Sequence, residues 1–175
     1  MGVDRDGPAL VRARAKSPAT AHFVQLDMRH LAAVQGEFDG IVCLWQSFGY
    51  FDDAENEAVL AHFSHLLAPG GRLILDIYNR EHWEQNQGEV EVERKGVTIK
   101  IANRIEGKRL RAAVHYGSGL GGEQFEWRLY TLDEIRALAI DVGLTLRLAC
   151  VESEESLPVS SEKPQMQLVF ERAYG

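Results

Sequence analysis

Two short, almost continuous apolar segments constrain the fold of this chain more than any other feature. They read FDGIVCLW at 38–45 and RLILDIYN at 72–79, and a helical pattern separates them. Continuous apolar strands are typical of parallel sheets that are buried on both faces, and parallel neighbours require a crossover connection. The order strand, helix, strand therefore predicts an α/β fold in which helices cover both faces of a mainly parallel sheet.

The segment between these strands predicts an amphipathic helix that begins near Asp53. Asp52 and Glu55 have the spacing of a capping box, and Pro69-Gly70-Gly71 ends the helix. Apolar side chains recur at helical spacing and form one face, at Val59, Leu60, Phe63, Leu66 and Leu67. Such a helix suits the crossover between two parallel strands.

The start of the chain repeats the same unit on a smaller scale. The segment GVD at 2–4 reads as the end of a strand, and Pro8 suits the first turn of the helix that follows. A second strand, HFVQLD, covers 22–27. Both strands end in a carboxylate, Asp4 and Asp27, and we expect these two side chains at the same edge of the sheet.

Carboxylates at the ends of neighbouring parallel strands are suited to binding a nucleoside. Ligands of open parallel sheets bind at the carboxyl ends of the strands. The carboxylate of Asp4 can accept both hydroxyls of a ribose. That of Asp27 can accept an adenine amino group, while the following backbone amide meets a ring nitrogen. Each carboxylate alone is equally well explained as a helix cap, but the pair favours an adenosine pocket.

The second half of the chain predicts an antiparallel meander between residues 89 and 130. Apolar and charged residues alternate over EVEVER, VTIKIANRI, RLRAAVHY and QFEWRLY, with turns at Lys95-Gly96 and Glu106-Gly107. This alternation is typical of strands with one packed face and one face in water. The glycine-rich loop at 117–122 joins two of these strands, so we interpret it as a hairpin connection rather than a cofactor loop.

A helix and two strands close the chain. Thr131 and Glu134 form a second capping box, and the helix ends near Gly143. The strands LTLRLACV and MQLVFERAY follow, joined by an acidic surface loop. Because parallel neighbours need a crossover, we expect the last strand, about 165–173, to be antiparallel to the rest of the sheet.

Composition and charge exclude several classes of function. The 175 residues carry a formal net charge of -7, which repels phosphate backbones, so we expect no nucleic-acid partner. No apolar run has membrane-spanning length, and Cys43 and Cys150 lie in apolar strands, which favours reduced thiols and a cytoplasmic protein. His62 and His65 lack a third ligand at suitable spacing, so no metal site is predicted. The length fits a single domain, 1–175.

Four segments of the chain, in their order and spacing, resemble motifs of the class I S-adenosylmethionine-dependent methyltransferases. They are GVDRDGPALVRARA, FVQLDMRHL, FDGIVCLWQSFGYFDDAENEAVL and LLAPGGRLILDIYN. The last two look most like the small-molecule branch that contains enzymes of the glycine N-methyltransferase type, and RLYTLDEIRALAIDVGL is similar to the helix before the family's closing hairpin. The resemblance implies a Rossmann-like methyltransferase sheet, S-adenosyl-L-methionine as cofactor, and a small-molecule acceptor with an amine or a carboxylate.

The resemblance also assigns roles to single residues. It implies that Asp4 holds the ribose, that Asp27 and Met28 flank the adenine, and that the backbone of Leu44 lines the methionine portion of the cofactor. It places the acceptor near four further residues: Gln46, Tyr50, Tyr78 and Asn79. A loop polar group or a packing aromatic explains Gln46 and Tyr50 equally well, and explains Tyr78 and Asn79 better. The meander at 89–130 becomes a cap that chooses the acceptor. Direct displacement at a sulfonium needs alignment and exclusion of water, so no catalytic side chain is implied.

One part of the family pattern is missing from this sequence. The family's first strand and its D-x-G-x-G-x-G loop have no counterpart. We therefore expect an N-terminally truncated sheet in which two strands lack a ladder partner, and open edges that invite pairing with another chain, such as a homodimer. We also expect weak or no cofactor binding and impaired methyl transfer by this chain alone. Two alternatives stay open: an NAD-dependent oxidoreductase, whose cofactor ribose Asp4 could equally hold, and a non-catalytic truncated domain.

Overall fold

The computed structural model describes residues 1–94, 96–117 and 121–174 of the chain. Its helices are α1 (Gly7–Lys16), a 3-10 helix (Met28–Ala33), α2 (Asp53–Leu66), α3 (Arg80–Gln85) and α4 (Leu132–Asp141). Its strands are β1 (Gly2–Asp4), β2 (Phe23–Gln25), β3 (Phe38–Cys43), β4 (Leu67–Tyr78), β5 (Gly88–Arg94), β6 (Val97–Glu106), β7 (Arg109–Tyr116), β8 (Gly122–Arg128), β9 (Leu144–Val151), β10 (Glu154–Pro158) and β11 (Gln165–Arg172).

The strands of the described ranges form three separate sheets. β1 and β2 pair in parallel, five strands are ordered β10-β9-β11-β4-β3, and the meander is a four-stranded sheet of order β5-β6-β7-β8. This mixed α/β arrangement with an antiparallel meander confirms the predicted fold class. Helices α1, α2 and α4 match the helices that the sequence pattern indicates, whereas the 3-10 helix and α3 were not predicted. Within the described residues no helix is long and apolar enough to cross a membrane.

Strand directions in the five-stranded sheet confirm one prediction and correct two. β11 is antiparallel to both β4 and β9, as predicted from its loop connection. The sheet is less parallel than predicted, because β3 and β4 are the neighbours that pair in parallel within it. The acidic segment predicted as a surface loop contains a strand, since β10 forms an antiparallel pair with the edge of β9.

The main core lies on one face of the five-stranded sheet, against α2 and α4. Leu73, Leu75 and Ile77 alternate along β4 and are at most 2% exposed. They pack with side chains of β11, α2 and α4, among them Leu168, Phe170, Val59, Leu60, Ile135 and Ala139. Burying one such aliphatic side chain stabilises the fold by about 1.5–3 kcal/mol. This packing holds the ends of β3 and β4 in place.

The caps of α2 and α4 differ from each other. Thr131 and Glu134 form the complete capping box that was predicted for α4. At α2 the Asp52 side chain accepts a hydrogen bond from the Glu55 amide, but the Glu55 carboxylate accepts one from Arg29. α2 ends at Leu66, ahead of the Pro-Gly-Gly segment, which lies within β4. The predicted cap of α2 is therefore confirmed and its predicted box is incomplete.

Strand β3 contradicts the prediction that it is buried on both faces. Val42 is 63% exposed, and Leu44, just after the strand, is 42% exposed. β3 is the outer strand of its sheet and, in the described part of the chain, is hydrogen-bonded to β4 alone. An apolar strand with one open edge and one uncovered face keeps its side chains in contact with water.

The meander has the two predicted faces, but its apolar face is covered at one end. Leu110, Trp127 and Leu129 form a second buried cluster. Val90 at the other end is 52% exposed, because β5 lies far along the sheet from this cluster. Charged side chains pair across the opposite face, as between Arg111 and Glu126. Of the predicted turn and loop, Lys95 and residues 118–120 lie outside the described residues.

Candidate functional site

A cavity of about 580 Å³ lies between strands β1 and β3. Its lining includes residues 1–5 and 40–44, together with Leu26–Met28, Tyr50 and Phe51. This volume falls within the range of pockets that hold small molecules and cofactors, about 300–1,000 Å³. The lining runs along both strands, from Met1 and Phe38 at their amino ends to Asp4 and Leu44 at their carboxyl ends. Ligands of open α/β sheets usually bind at the carboxyl ends.

Two open strand edges face this cavity. β1 pairs with β2 on its far side, and β3 pairs with β4 on its far side. Between them, the described ranges of the chain contribute no strand, so the two-stranded and five-stranded sheets remain separate. Backbone donors and acceptors on such edges are available to a ligand.

Asp4 lies at the carboxyl end of β1, on the wall of the cavity. Its Oδ1 accepts a hydrogen bond of 2.8 Å from the amide of Asp6, which opens helix α1. Because β1 and β2 are parallel and Asp4 is in register with Gln25, the carboxyl ends of both strands meet at one edge. Asp4 and Asp27 consequently line the same cavity.

Asp27 is both a cap and a cavity residue, so both interpretations of the sequence apply to it. It caps the 3-10 helix, where its Oδ1 accepts from the Arg29 amide at 3.0 Å. The Arg29 guanidinium donates to both carboxylate oxygens, through Nε at 3.1 Å and Nη2 at 2.8 Å. The hydrogen bonds from the Arg29 side chain are the main reason that the pKa of Asp27 is lowered to about 2. The carboxylate is therefore ionised at neutral pH.

Met28 and Leu44 complete the group of four residues predicted to bind cofactor. Both line the cavity that Asp4 and Asp27 line. The carbonyl of Leu44 accepts a hydrogen bond of 2.7 Å from the Ser47 hydroxyl, which closes the turn after β3. The structure thus brings all four predicted residues around one cavity.

The loop after β3 has a strained backbone that Asp76 holds in place. Trp45 and Gln46 have φ angles of 57° and 54°, in the left-handed region that side-chain-bearing residues rarely adopt. Asp76 Oδ2 accepts from the Trp45 amide at 3.1 Å and from Gln46 Nε2 at 2.9 Å. Backbone strain of this kind costs about 1–3 kcal/mol per residue and concentrates at functional sites.

Two of the predicted acceptor residues converge on an aromatic residue that the sequence analysis missed. The rings of Tyr50 and Tyr78 each lie 5.3 Å, centroid to centroid, from the ring of Trp127 on β8. Tyr50 also lines the cavity. Burial raises the pKa of Tyr78, and the nearby Tyr50 and Asp76 add to this effect, so its hydroxyl stays protonated.

The side chains of the other two predicted acceptor residues, Gln46 and Asn79, are buried and hydrogen-bonded within the protein. Gln46 is 7% exposed and its side-chain amide is bonded to Asp76. Asn79 is 1% exposed, and its Nδ2 donates to the carbonyl of Ser160 at 2.8 Å. Its Oδ1 accepts from the amide of Glu81, at the start of α3. Neither side chain lines the cavity between β1 and β3.

The meander is attached to the loop at the cavity mouth. The amide of Arg128 donates to the carbonyl of Gly49 at 2.7 Å, and Arg109 Nη1 donates to the carbonyl of Phe51 at 3.1 Å. A Cβ on Gly49 would lie 2.6 Å from the carbonyl oxygen of Arg128, and its φ is 106°, so glycine is required there. The meander strands therefore pack closely on the loop that carries Tyr50.

Other chemistry has little support at this site. Within residues 1–94, 96–117 and 121–174, no cluster of His, Cys, Asp and Glu has the geometry to hold a metal ion. Burial raises the pKa of the Cys43 thiol to about 12, so this cavity-lining cysteine is not a thiolate nucleophile at neutral pH.

The first part of the chain matches a known protein family. Residues 1–71 match the sequence model of a family described as a methyltransferase domain, and this range contains Asp4, Asp27, Met28 and Leu44. No curated protein has a matching sequence.

Solved structures resemble the whole chain. A S-adenosylmethionine-dependent methyltransferase from Clostridium acetobutylicum superposes with a TM-score of 0.82 at 18% identity, over 98% of this chain and 74% of its own length. The CcbJ methyltransferase from Streptomyces caelestis gives 0.82 at 19% identity, over 99% and 74%. CalS10, an amino pentose methyltransferase from Micromonospora echinaspora solved with its S-adenosylmethionine, gives 0.69 at 22% identity, over 98% and 73%. These likenesses confirm the Rossmann-like methyltransferase fold.

Proposed function

We propose that this chain, which has the class I S-adenosylmethionine-dependent methyltransferase fold, transfers a methyl group from S-adenosyl-L-methionine to a small-molecule acceptor. The observation that carries the proposal is the convergence of Asp4, Asp27, Met28 and Leu44 on one cavity of about 580 Å³. All four lie in the range that matches the methyltransferase domain. A fold alone hosts many activities, so this shared cavity is the more specific support.

The residues around the cavity fit the nucleoside end of this cofactor. The carboxylate of Asp4 lies at the end of β1, where it can accept ribose hydroxyls. The ionised carboxylate of Asp27 can accept an adenine amino group, and the backbone at Met28 can bond to a ring nitrogen. Leu44 lies further along the cavity wall, toward the loop that holds Tyr50. Bound S-adenosylmethionine supplies a methyl group that is already activated by the sulfonium.

The aromatic cluster of Tyr50, Tyr78 and Trp127 is the proposed acceptor side of the site. Its rings can cover the apolar body of an acceptor and exclude water, while the protonated Tyr78 hydroxyl can donate or accept one hydrogen bond. An amine is the preferred acceptor group, because the net charge of -7 attracts cations and disfavours carboxylates. The amino pentose specificity of the similar CalS10 supports the same choice.

We further propose that residues 1–175 act as one domain with residues 89–130 as the cap. The hydrogen bonds from Arg128 to Gly49 and from Arg109 to Phe51 support this arrangement. The free, buried Cys43 and Cys150 support a cytoplasmic location, and the negative charge supports the absence of a nucleic-acid partner. The open edges of β1 and β3 are the basis for weak cofactor binding by this chain and for pairing with a further strand, including one from a second copy.

Parallel titrations with S-adenosylhomocysteine and NAD, followed by ligand-observed NMR, test this proposal. Two charge-assisted contacts of about 1.5–3 kcal/mol each, less the cost of association, allow a Kd for S-adenosylhomocysteine that is no tighter than about 1 mM. Competition between the ligands, with NAD the weaker, is the expected result. Tighter binding of NAD would support the oxidoreductase alternative, and no displacement by either ligand at several millimolar would support the non-catalytic one.

An activity assay provides the second test. We expect slow formation of S-adenosylhomocysteine, detected by mass spectrometry, when millimolar S-adenosylmethionine and a set of small amines are added. The matched control is the double substitution Asp4→Asn and Asp27→Asn, which keeps the side-chain sizes and removes both charges. Equal product from the control and the wild-type chain would exclude this cavity as the site of reaction.

A further inference from the structure

Arg29 holds the carboxylate of Asp27 more completely than a helix cap requires. Its amide and Nε both donate to Oδ1, at 3.0 Å and 3.1 Å, and its Nη2 donates to Oδ2 at 2.8 Å. A carboxylate has about four lone-pair positions. Three of them are therefore filled by one residue, and the remaining position belongs to Oδ2.

Arg29 is itself fixed from two further directions. Its Nη1 donates to Glu55 Oε1 at 3.0 Å, so the guanidinium bridges the 3-10 helix and the first turn of α2. Its guanidinium carbon lies 4.6 Å from the ring centroid of Phe51, which lines the cavity. A planar guanidinium held by two carboxylates and an aromatic face has little freedom to turn. The side chain of Asp27 is 19% exposed and the residue lines the cavity, so the acceptor position on Oδ2 that Arg29 leaves unfilled is the one that a ligand would use.

We propose that Arg29 is a positioning residue that sets the purine specificity of the site, by leaving Asp27 one fixed acceptor position that takes an N–H of a 6-amino purine and disfavours a 6-oxo purine. This inference rests on the proposed function. A fixed, ionised carboxylate repels a carbonyl oxygen placed where the amino group lies. A carboxylate without its guanidinium can turn to meet the ring N1–H of a 6-oxo purine, so the two bases become harder to distinguish.

The test compares S-adenosylhomocysteine with its deaminated analogue S-inosylhomocysteine, titrated by ligand-observed NMR into the wild-type chain and into Arg29→Met. We expect the wild-type chain to prefer the adenosyl ligand by about tenfold or more, the equivalent of one charge-assisted hydrogen bond. In Arg29→Met, adenosyl affinity falls about five- to tenfold while inosyl affinity changes less than about twofold, so the ratio approaches one. Arg29→Lys keeps the charge without the bidentate geometry and should give an intermediate ratio.

Two controls separate positioning from stability. Arg12→Met removes an exposed arginine whose nearest carboxylate oxygen, on Asp6, is 3.9 Å away, and it should leave the ratio unchanged. Glu55→Gln weakens the ion pair between Glu55 and Arg29 and leaves the contact of Arg29 with Asp27. It should lower the ratio of adenosyl to inosyl affinity less than Arg29→Met does. This second variant also tests the inference if Arg29→Met unfolds.

The outcomes distinguish the inference from the function on which it rests. Equal losses for both ligands in Arg29→Met would show a purely structural role and overturn the inference alone. An unchanged ratio in both Arg29→Met and Glu55→Gln would do the same. Absence of binding by either ligand to the wild-type chain would overturn the proposed function and the inference with it.

Discussion

An inner strand and an edge strand of the five-stranded sheet, β4 and β3, use similar apolar residues in different ways. β4 has hydrogen-bonded neighbours on both sides, and its Leu75 is completely buried under α2 and α4. The adjacent β3 is an outer strand, and its Val42 is 63% exposed at the cavity. Packing on both sides makes the first region a source of stability. The open edge makes the second region available for a ligand.

This difference predicts that stability and binding respond to substitutions at separate positions. A residue with no exposed surface has nothing left to offer a ligand, and its removal leaves a void. A residue at an open edge contributes little to folding, because water already covers it in the folded chain. The clearest test compares the same residue type in the packed region around β4 and in the open region around β3.

The largest effect is expected from a matched pair of leucines. Leu75→Ala should lower the free energy of unfolding by about 2–5 kcal/mol, because it removes a fully buried side chain from the core. Leu44→Ala, at a side chain that is 42% exposed, should lower it by less than about 1 kcal/mol. Urea denaturation of both variants measures the difference. Similar losses would mean that the edge at β3 is covered in solution.

The next largest effect concerns the charges that join the meander to the helices. Glu134 lies near Arg80, Lys108 and Arg128. Burial raises the pKa of Glu134, but hydrogen bonds from Lys108 and Arg80 outweigh burial and lower it from 4.5 to about 2. A lowered pKa contributes stability above pH 4.5 that is lost as the pH falls toward 2.

We therefore expect the unfolding free energy to fall by about 2–3 kcal/mol between pH 5 and pH 2 on account of Glu134. In Glu134→Gln this part of the pH dependence should disappear, and the variant should be less stable than wild type at pH 7. Urea denaturation across this pH range measures it, and Glu162→Gln at an exposed position is the control. An identical pH dependence in Glu134→Gln and wild type would contradict the assignment.

Local sequence signals predict the packed region well and the cavity margin poorly. The box at Thr131 and Glu134 and the cap at Asp52 need residues within one turn, so a short pattern specifies them. The exposure of Val42 depends on whether a neighbouring strand covers it. An apolar strand indicates a preference for burial and contains no information about which neighbours are present.

The candidate site follows the same division. Asp4 and Asp27 are predictable, because strand ends and helix starts mark the ligand edge of a parallel sheet. Asp76 and Trp127 were missed, since their roles depend on partners distant in sequence, such as the Asp76 bond to Trp45 across 31 positions. A carboxylate within the apolar segment RLILDIYN was the available signal for Asp76. For Trp127, alternation in the meander indicated an inward side chain and nothing more specific.

At the cavity, the prediction is a loss of affinity without a matching loss of stability. Asp27→Ala removes a charge-assisted acceptor. It should weaken the binding free energy of S-adenosylhomocysteine by about 1.5–3 kcal/mol. The loss of its cap on the short 3-10 helix should lower stability by about 1 kcal/mol. NMR titration and urea denaturation measure the two quantities. A collapse of stability with unchanged affinity would make Asp27 a structural cap.

The smallest expected effect concerns the proposed role of the meander in determining which acceptor is methylated. Trp127 is 9% exposed, and its indole N–H has no hydrogen-bond partner among the described residues. Trp127→Phe keeps an aromatic ring beside Tyr50 and Tyr78 and removes this unpaired donor, which by itself costs about 1–3 kcal/mol when buried. The loss of ring volume offsets that gain, so the net change in stability should be small.

Because Trp127 packs on the proposed acceptor side and does not line the cavity of Asp4 and Asp27, the affinity for S-adenosylhomocysteine should change less than about twofold. The relative rates with different amines should change severalfold, as measured by mass spectrometry on mixed acceptors. Replacing residues 89–130 by the equivalent segment of a relative should change which acceptor is methylated. If either variant loses cofactor affinity while its fold stays intact, the meander belongs to the cofactor site. The proposed division between a cofactor region and an acceptor region would then be wrong.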